Sequence, residues 1–343
     1  MRVLRTAVIG AGRIGWAFHI PQIFDHDGFE LVAVVDPLQE RLDEVKAKFG
    51  VTGYPDYNEL LDSEELDLVV IASPTPFHAD QAIMAFQHGC DVFCDKPMAA
   101  SLAQADRMIA ATEAHGRKLM VYQPHRGRAD MVALQEILRQ GLIGPVYMIK
   151  CALTGYSRRN DWQALQRYGG GMLNNYGAHQ IDKLLSLSGS RARRVSCTLR
   201  VVASLGDADD VVKVVIETEN GTILDLDINM ASAHPMPPWH ILGKQGSILF
   251  DAEQQAWQVR YFRPEELEDI ALHQELAAPK RRYGSGETIP WREKTFPLDE
   301  VQPIDYYQEC YSYFALDGEP FVPVAETREL VRVLDACRKN ASQ

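Results

Sequence analysis

The feature that most limits what this chain can become is Gly10-Ala11-Gly12-Arg13-Ile14-Gly15, which directly follows the apolar run 3–9 and opens a helical pattern. Between a strand and a helix, each glycine has a mechanical task. Gly10 permits a tight turn, Gly12 lets an anion approach the backbone, and Gly15 lets the helix lie close to the sheet while its first N–H groups face that anion. A strand leading into a helix in this way calls for further strands joined by crossover helices.

The pattern up to residue 122 meets that demand. Strands are expected at 3–9, 31–36, 68–72, 91–94 and 118–122, with helical spacing at 13–26, 38–49, 57–61, 77–88 and 101–115. This is an open, doubly wound parallel sheet of α/β class. Asp36 ends the second strand near the ~20-residue offset at which a carboxylate accepts hydrogen bonds from an adenosine ribose. Loop and carboxylate together read as a dinucleotide site. A carboxylate repels a 2′-phosphate, and no Arg or Lys lies between it and Arg41, so the sequence favours NAD over NADP.

After Tyr122 the rhythm changes. A helix is expected at 129–140, closed by Gly141, then a strand after Pro145 and a second helix from the glycines at 169–171 to about 187. Strands follow at 194–202, 211–218 and 222–230, with Asn220-Gly221 as a hairpin turn. Residues 234–239 and 264–297 mix proline, charge and aromatics without a period and read as surface excursions. An amphipathic helix at 325–339 could pack back on the first unit. The expected division is therefore a dinucleotide-binding domain over 1–123 and an α+β domain over 124–343 with a largely antiparallel, open sheet.

Composition narrows the partners. The 343 residues carry 35 Lys and Arg against 47 Asp and Glu, a net charge of -12 that opposes sequence-independent binding to nucleic acid. No run approaches the ~18 apolar residues of a membrane span, and the N-terminus lacks the apolar region of a signal peptide. The six cysteines show no CxxC spacing and read as reduced thiols of a cytoplasmic protein without a metal site.

Ala72-Ser73-Pro74-Thr75-Pro76-Phe77-His78 and Asp95-Lys96-Pro97 fall at the carboxyl ends of two expected strands, the edge where open α/β sheets bind ligands. Farther on comes Gly169-Gly170-Gly171-Met172-Leu173-Asn174-Asn175-Tyr176-Gly177-Ala178-His179-Gln180-Ile181-Asp182. With these three motifs the chain resembles, over nearly its whole length, the glucose-fructose oxidoreductase, inositol dehydrogenase and rhizopine catabolism (Gfo/Idh/MocA) family.

The resemblance implies a Rossmann domain. It makes Gly10, Gly12, Arg13, Ile14, Gly15, Asp36, Ser73, Thr75, His78, Asp95 and Lys96 candidates for holding NAD. Family members usually have Glu-Lys-Pro, whose lysine reaches both nicotinamide ribose and substrate hydroxyl; here the acid is the shorter Asp95. An ammonium at that point stabilises developing alkoxide charge. By the same resemblance His179 exchanges the hydroxyl proton, which suits an imidazole.

Residues 175, 179 and 182 are spaced to share one helix face. At 175 the chain departs from the family, carrying Asn in place of the usual Asp. An amide can orient substrate or fix a tautomer but cannot stabilise an imidazolium by charge. This admits a substrate whose own group, a carboxylate for instance, supplies that charge. Asp182, Arg126 and the loop residues Arg158, Arg159, Asp161 and Trp162 are candidate substrate contacts. Between Tyr156 and Arg194, six arginines and one lysine face two aspartates, which also suits an acidic small molecule.

The implied activity is NAD-dependent hydride transfer to or from a secondary alcohol of a sugar, cyclic polyol or sugar acid, in a homodimer or homotetramer. Two other readings fit the same motifs. One is an enzyme that retains NAD and uses transient oxidation to cleave a glycoside. The other is a dinucleotide-binding regulator without catalysis.

Overall fold

The structure, a computed structural model, describes residues 2–274, 284 and 286–341. Its first sheet comprises β1 (Leu4–Ile9), β2 (Phe29–Val35), β3 (Thr52–Tyr54), β4 (Leu68–Ile71), β5 (Asp91–Asp95) and β6 (Leu119–Tyr122), in the order β3-β2-β1-β4-β5-β6. All its pairings are parallel. The crossovers carry α1 (Ile20–Asp25), α2 (Gln39–Phe49), α3 (Tyr57–Ser63), α4 (His78–Gln87) and α5 (Leu102–His115). Strands such as Leu68–Ile71, buried at every residue, are near-continuous apolar runs because helices cover both sheet faces. The strand order reverses beside β1, and that reversal opens the crevice at its carboxyl end.

The second sheet comprises β7 (Val146–Thr154), β8 (Ala192–Arg200), β9 (Val211–Thr218), β10 (Ile223–Asn229), β11 (Trp239–Gly243), β12 (Gly246–Asp251), β13 (Ala256–Tyr261) and β14 (Arg292–Pro297). Its order is β14-β13-β12-β11-β7-β10-β9-β8, antiparallel throughout except where β7 and β10 run parallel. Asn220-Gly221 lies in the turn between β9 and β10, with Gly221 at φ 86°. One face of the sheet packs on α6 (Ala129–Arg139) and α7 (Ala178–Ser188) around a core that includes Leu134, Ile181, Leu184, Leu226 and Trp257.

Three local expectations need correction. β3 was not foreseen, because three residues are too few to show a period. Trp239 is buried at the start of β11, so the excursion before it ends at Pro238. Residues 292–297 form the edge strand β14 rather than a loop; their charges at successive positions hide a two-residue period.

The C-terminal region returns to both cores. Helix α8 (Tyr306–Leu316), which the sequence reading did not assign, lays Tyr306, Tyr307, Cys310 and Phe314 against Val8, Phe93 and Met120 of the first sheet. Helix α9 (Val324–Ala341) buries Val331 in the first sheet's other core and Leu330, Val333, Leu334 and Cys337 in the core of the second. Among the described residues no helix is long and apolar enough to cross a membrane, and all six cysteines are buried and free of disulfides.

Candidate active site

The glycine loop separates what the chain requires from what a ligand requires. A Cβ on Gly15 would stand 1.8 Å from Gly10 O, and one on Gly10 would stand 2.9 Å from Ala72 O with φ at 100°. Both glycines are therefore demanded by the fold itself. Gly12 is not, since a Cβ there meets nothing nearer than Arg41 Nη1 at 4.0 Å. The open side of Gly12 fits a pyrophosphate approaching the backbone, which makes the loop suited to a dinucleotide. Beyond it the chain passes through a π-turn over Gly15–His19 into α1. Arg13 is exposed and Ile14 half-buried beside this opening.

Asp36, 2% exposed, accepts hydrogen bonds from Ala11 N at 2.9 Å and Leu38 N at 3.0 Å. Its Oδ2 also receives Arg41 Nη1 at 3.1 Å. The basic group that lies beyond Asp36 in sequence thus sits beside it and beside Gly12.

At the neighbouring strand ends, His78 is buried with Nε2 2.8 Å from Ser73 O and Nδ1 3.0 Å from Pro97 O. It ties the turn after β4 to the one after β5 and does not itself present a group to the crevice. Ser73 Oγ donates to Gln81 Oε1 at 2.6 Å, and Thr75, half-buried, opens a short 3-10 turn. Asp95 Oδ1 accepts from Lys96 N at 2.8 Å, and burial pushes its carboxyl up to about 6. The Lys96 ammonium, lowered by burial and partly sustained by Asp95, donates from Nζ to Asn175 O at 3.1 Å.

That contact joins the first sheet's edge to the glycine-rich segment. Residues Leu173–Gly177 form a π-turn that leads straight into α7, so residue 175 is not in α-helical register with 179 and 182. Its side chain turns to the preceding loop, where Asn175 Nδ2 donates to Gln163 Oε1 at 3.1 Å.

His179 is buried, its Nδ1 has no hydrogen-bond partner among the described residues, and its ring centre lies 4.0 Å from that of His125. Burial, then the positive charge of Lys96, then His125 and Lys183 hold its imidazole well below the usual range. His125 is lowered to about 4 by burial, with Lys183, Arg128 and Lys96 adding to it. Both rings are therefore neutral near pH 7, and a neutral imidazole can take a proton.

Other expected contacts are arranged differently. Arg126 (6% exposed) and Asp182 (2%) were candidates for touching substrate. Instead they form a buried bidentate pair at 2.6 and 2.7 Å, and Arg126 also reaches Glu326 on α9. Their charges are used within the fold. Asp161 caps the short turn after it by accepting from Gln163 N at 3.0 Å, and it lies 3.4 Å from Arg159. Trp162 is 54% exposed, and Arg158 is exposed without an ion pair among the described residues. The sequence reading overlooked His125, Gln163 and Lys183. Lys183 was open to detection, as it follows His179 by four residues on one helix face.

Comparison with known proteins agrees with this architecture. Residues 4–123 match the family described as "Oxidoreductase family, NAD-binding Rossmann fold", and residues 131–249 match the "GFO/IDH/MocA C-terminal domain". The D-apiose dehydrogenase of Paraburkholderia graminis is 30% identical over 259 residues, covering 73% of this chain and 68% of that protein. An inositol 2-dehydrogenase of Streptomyces avermitilis is 30% identical over 233 residues, 66% of each. A solved NAD-binding protein from Listeria innocua superposes with a TM-score of 0.83 at 23% identity, covering 99% of this chain and 95% of that one.

Proposed function

The chain belongs to the GFO/IDH/MocA oxidoreductase family, and from that membership we propose that it is an NAD-dependent dehydrogenase acting on a secondary alcohol of a sugar, polyol or sugar acid. The observation that carries the reading is the meeting of Lys96 with the turn that leads into His179, one from each sheet's layer. The names of the sugar and inositol dehydrogenases it resembles support the substrate class.

Gly10, Gly12, Gly15 and Asp36 would hold the dinucleotide, whose nicotinamide supplies hydride exchange when bound. Lys96 spends one of its three N–H groups on Asn175 O, which fixes the ammonium and leaves donors for the reacting oxygen. His179, neutral and packed against His125 with the two rings tilted, accepts the hydroxyl proton. Gln163 steadies Asn175, and His78 holds the turn on the far side of Lys96, so both are positioning residues. Asp36 favours NAD over NADP by repelling a 2′-phosphate. We also assign 1–123 and 124–343 to cofactor and substrate, and a homodimer or homotetramer through the open sheet.

A panel of sugars, inositols and sugar acids, assayed by NADH formation, tests the proposal. His179→Ala should lower kcat about 100- to 10,000-fold while NADH still binds. Product release without net NADH would support the NAD-retaining reading instead. Turnover unaffected by His179→Ala removes the proposed base, and tighter binding of NADPH than NADH removes the cofactor assignment.

A further inference from the structure

Lys183 lies one helical turn beyond His179 on α7 and is 4% exposed. Lysines are almost never this buried without a partner, because a desolvated ammonium costs several kcal/mol. Yet among the described residues its ammonium forms no hydrogen bond and lies over the face of Trp239, whose ring centre is 4.8 Å from Nζ. No carboxylate among the described residues forms an ion pair with it. Of the groups near enough to influence it, the Cys151 thiol is kept neutral by burial, which pushes it up to about 12, and the two carboxylates are engaged elsewhere, Asp182 with Arg126 and Asp130 with Arg128 at 3.3 Å. A ring face steadies an ammonium but leaves N–H donors unused.

The surroundings add positive charge. Lys96 and Lys183 both depress His125 and His179, so two ammonium groups act on both rings. In the glycine motif residue 175 is an amide whose side chain is bonded to Gln163, and the carboxylate of Asp182 is taken by Arg126. Asp95 offsets Lys96 and Asp182 is matched by Arg126, so among the described residues the buried ammonium of Lys183 is left without an anion of its own.

We propose that Lys183 recognises an anionic group of the substrate, and that the substrate carries a carboxylate, as a sugar acid or polyol acid does. The proposal rests on the dehydrogenase reading of the same site and specifies its substrate. Lys183 holds the carboxylate by a charge-assisted hydrogen bond, Trp239 fixes the lysine stem and head, and Lys96 remains free for the reacting hydroxyl.

The test uses matched pairs, D-glucuronate against D-glucose and D-galacturonate against D-galactose. Each is titrated calorimetrically into the NADH-bound protein and assayed separately for NADH formation with NAD. The acid of at least one pair should bind 10-fold or more tighter than its neutral counterpart. Lys183→Met, close in volume and uncharged, should cut that preference about 10- to 100-fold, as the loss of a charge-assisted bond implies. Lys183→Arg should retain most of it, which guards against a simple folding defect in the methionine variant.

Equal binding of acid and neutral sugar by the wild type overturns the proposal. So does a Lys183→Met effect that falls equally on both. Lys183-dependent binding of acids without NADH formation would uphold the recognition role and sink the dehydrogenase reading. NADH formation from neutral sugars without Lys183-dependent acid preference would do the reverse. Binding of no member of either pair counts against both.

Discussion

Asn175 and Asp36 show how much one side chain decides at each end of the crevice. Asn175 holds Lys96 through its carbonyl oxygen and Gln163 through its amide, leaving His179 beside two lysines without a balancing charge. In alcohol oxidation the neutral imidazole is the base. With its pKa well below 6.5, His179 itself should cause no loss of kcat/KM as pH falls through 6.5, and its acid limb should lie lower. Asn175→Asp adds a carboxylate that favours the imidazolium, so the acid limb should move upward by about 1 to 2 pH units. An unmoved limb in the pH-rate profile would mean that charge at 175 does not reach His179. At the other end, Asp36 restrains Arg41 at 3.1 Å. Asp36→Ala removes the anion and frees the guanidinium beside the ribose position, so relative affinity should shift about 10-fold or more toward NADPH. Fluorescence titration with both cofactors reads this directly, and an unchanged ratio rejects it.

At the scale of elements, α8 secures the strand end that adjoins the candidate site. Tyr306 Oη donates to Val121 O at 2.7 Å and accepts from Gln123 N at 3.0 Å, satisfying the backbone where β6 stops. The Gln123 side chain that follows is 1% exposed, with neither amide atom paired among the described residues. Tyr306→Phe keeps the ring but orphans two buried backbone groups, so the unfolding free energy should fall by about 1 to 3 kcal/mol. Denaturant titration measures it, and a change below about 0.5 kcal/mol would show that these groups find other partners. The sequence reading placed β1, β2, β4, β5 and β6 because their apolar runs are buried on both faces. It passed over α8 although Tyr306, Cys310 and Phe314 repeat every four residues and Asp305 caps the helix by accepting from Tyr307 N and Gln308 N. The aromatic content resembled that of the loops around it. The motifs behind the family resemblance singled out Lys96 and His179, and the fold brings Lys96 to the turn that leads into His179. The pairings of Arg126 and Asp182 were not legible in the sequence, since they depend on which distant segments the fold brings together.

Across the whole molecule, the two sheets are joined by more than the peptide at residue 123. Arg126 follows β6, Asp182 stands on α7 and Glu326 begins α9, so this charge cluster links the end of the first sheet, the helix bearing His179 and the helix shared by both cores. With α9 buried in both cores, unfolding one sheet strips apolar cover from the other, and the wild type should melt in one cooperative transition. Arg126→Met removes the only cation facing the buried Asp182 carboxylate in an ion pair among the described residues. The uncompensated charge should lower stability by about 3 to 5 kcal/mol. Asp182→Leu in the same background removes that stranded carboxylate and should restore a large part of the loss, because two apolar groups can replace a buried pair at little cost. Calorimetric melts of the single and double variants decide the matter. If Arg126→Met costs less than about 1 kcal/mol, or Asp182→Leu restores none of it, the pair does not hold the sheets together and its residues regain their claim as substrate contacts.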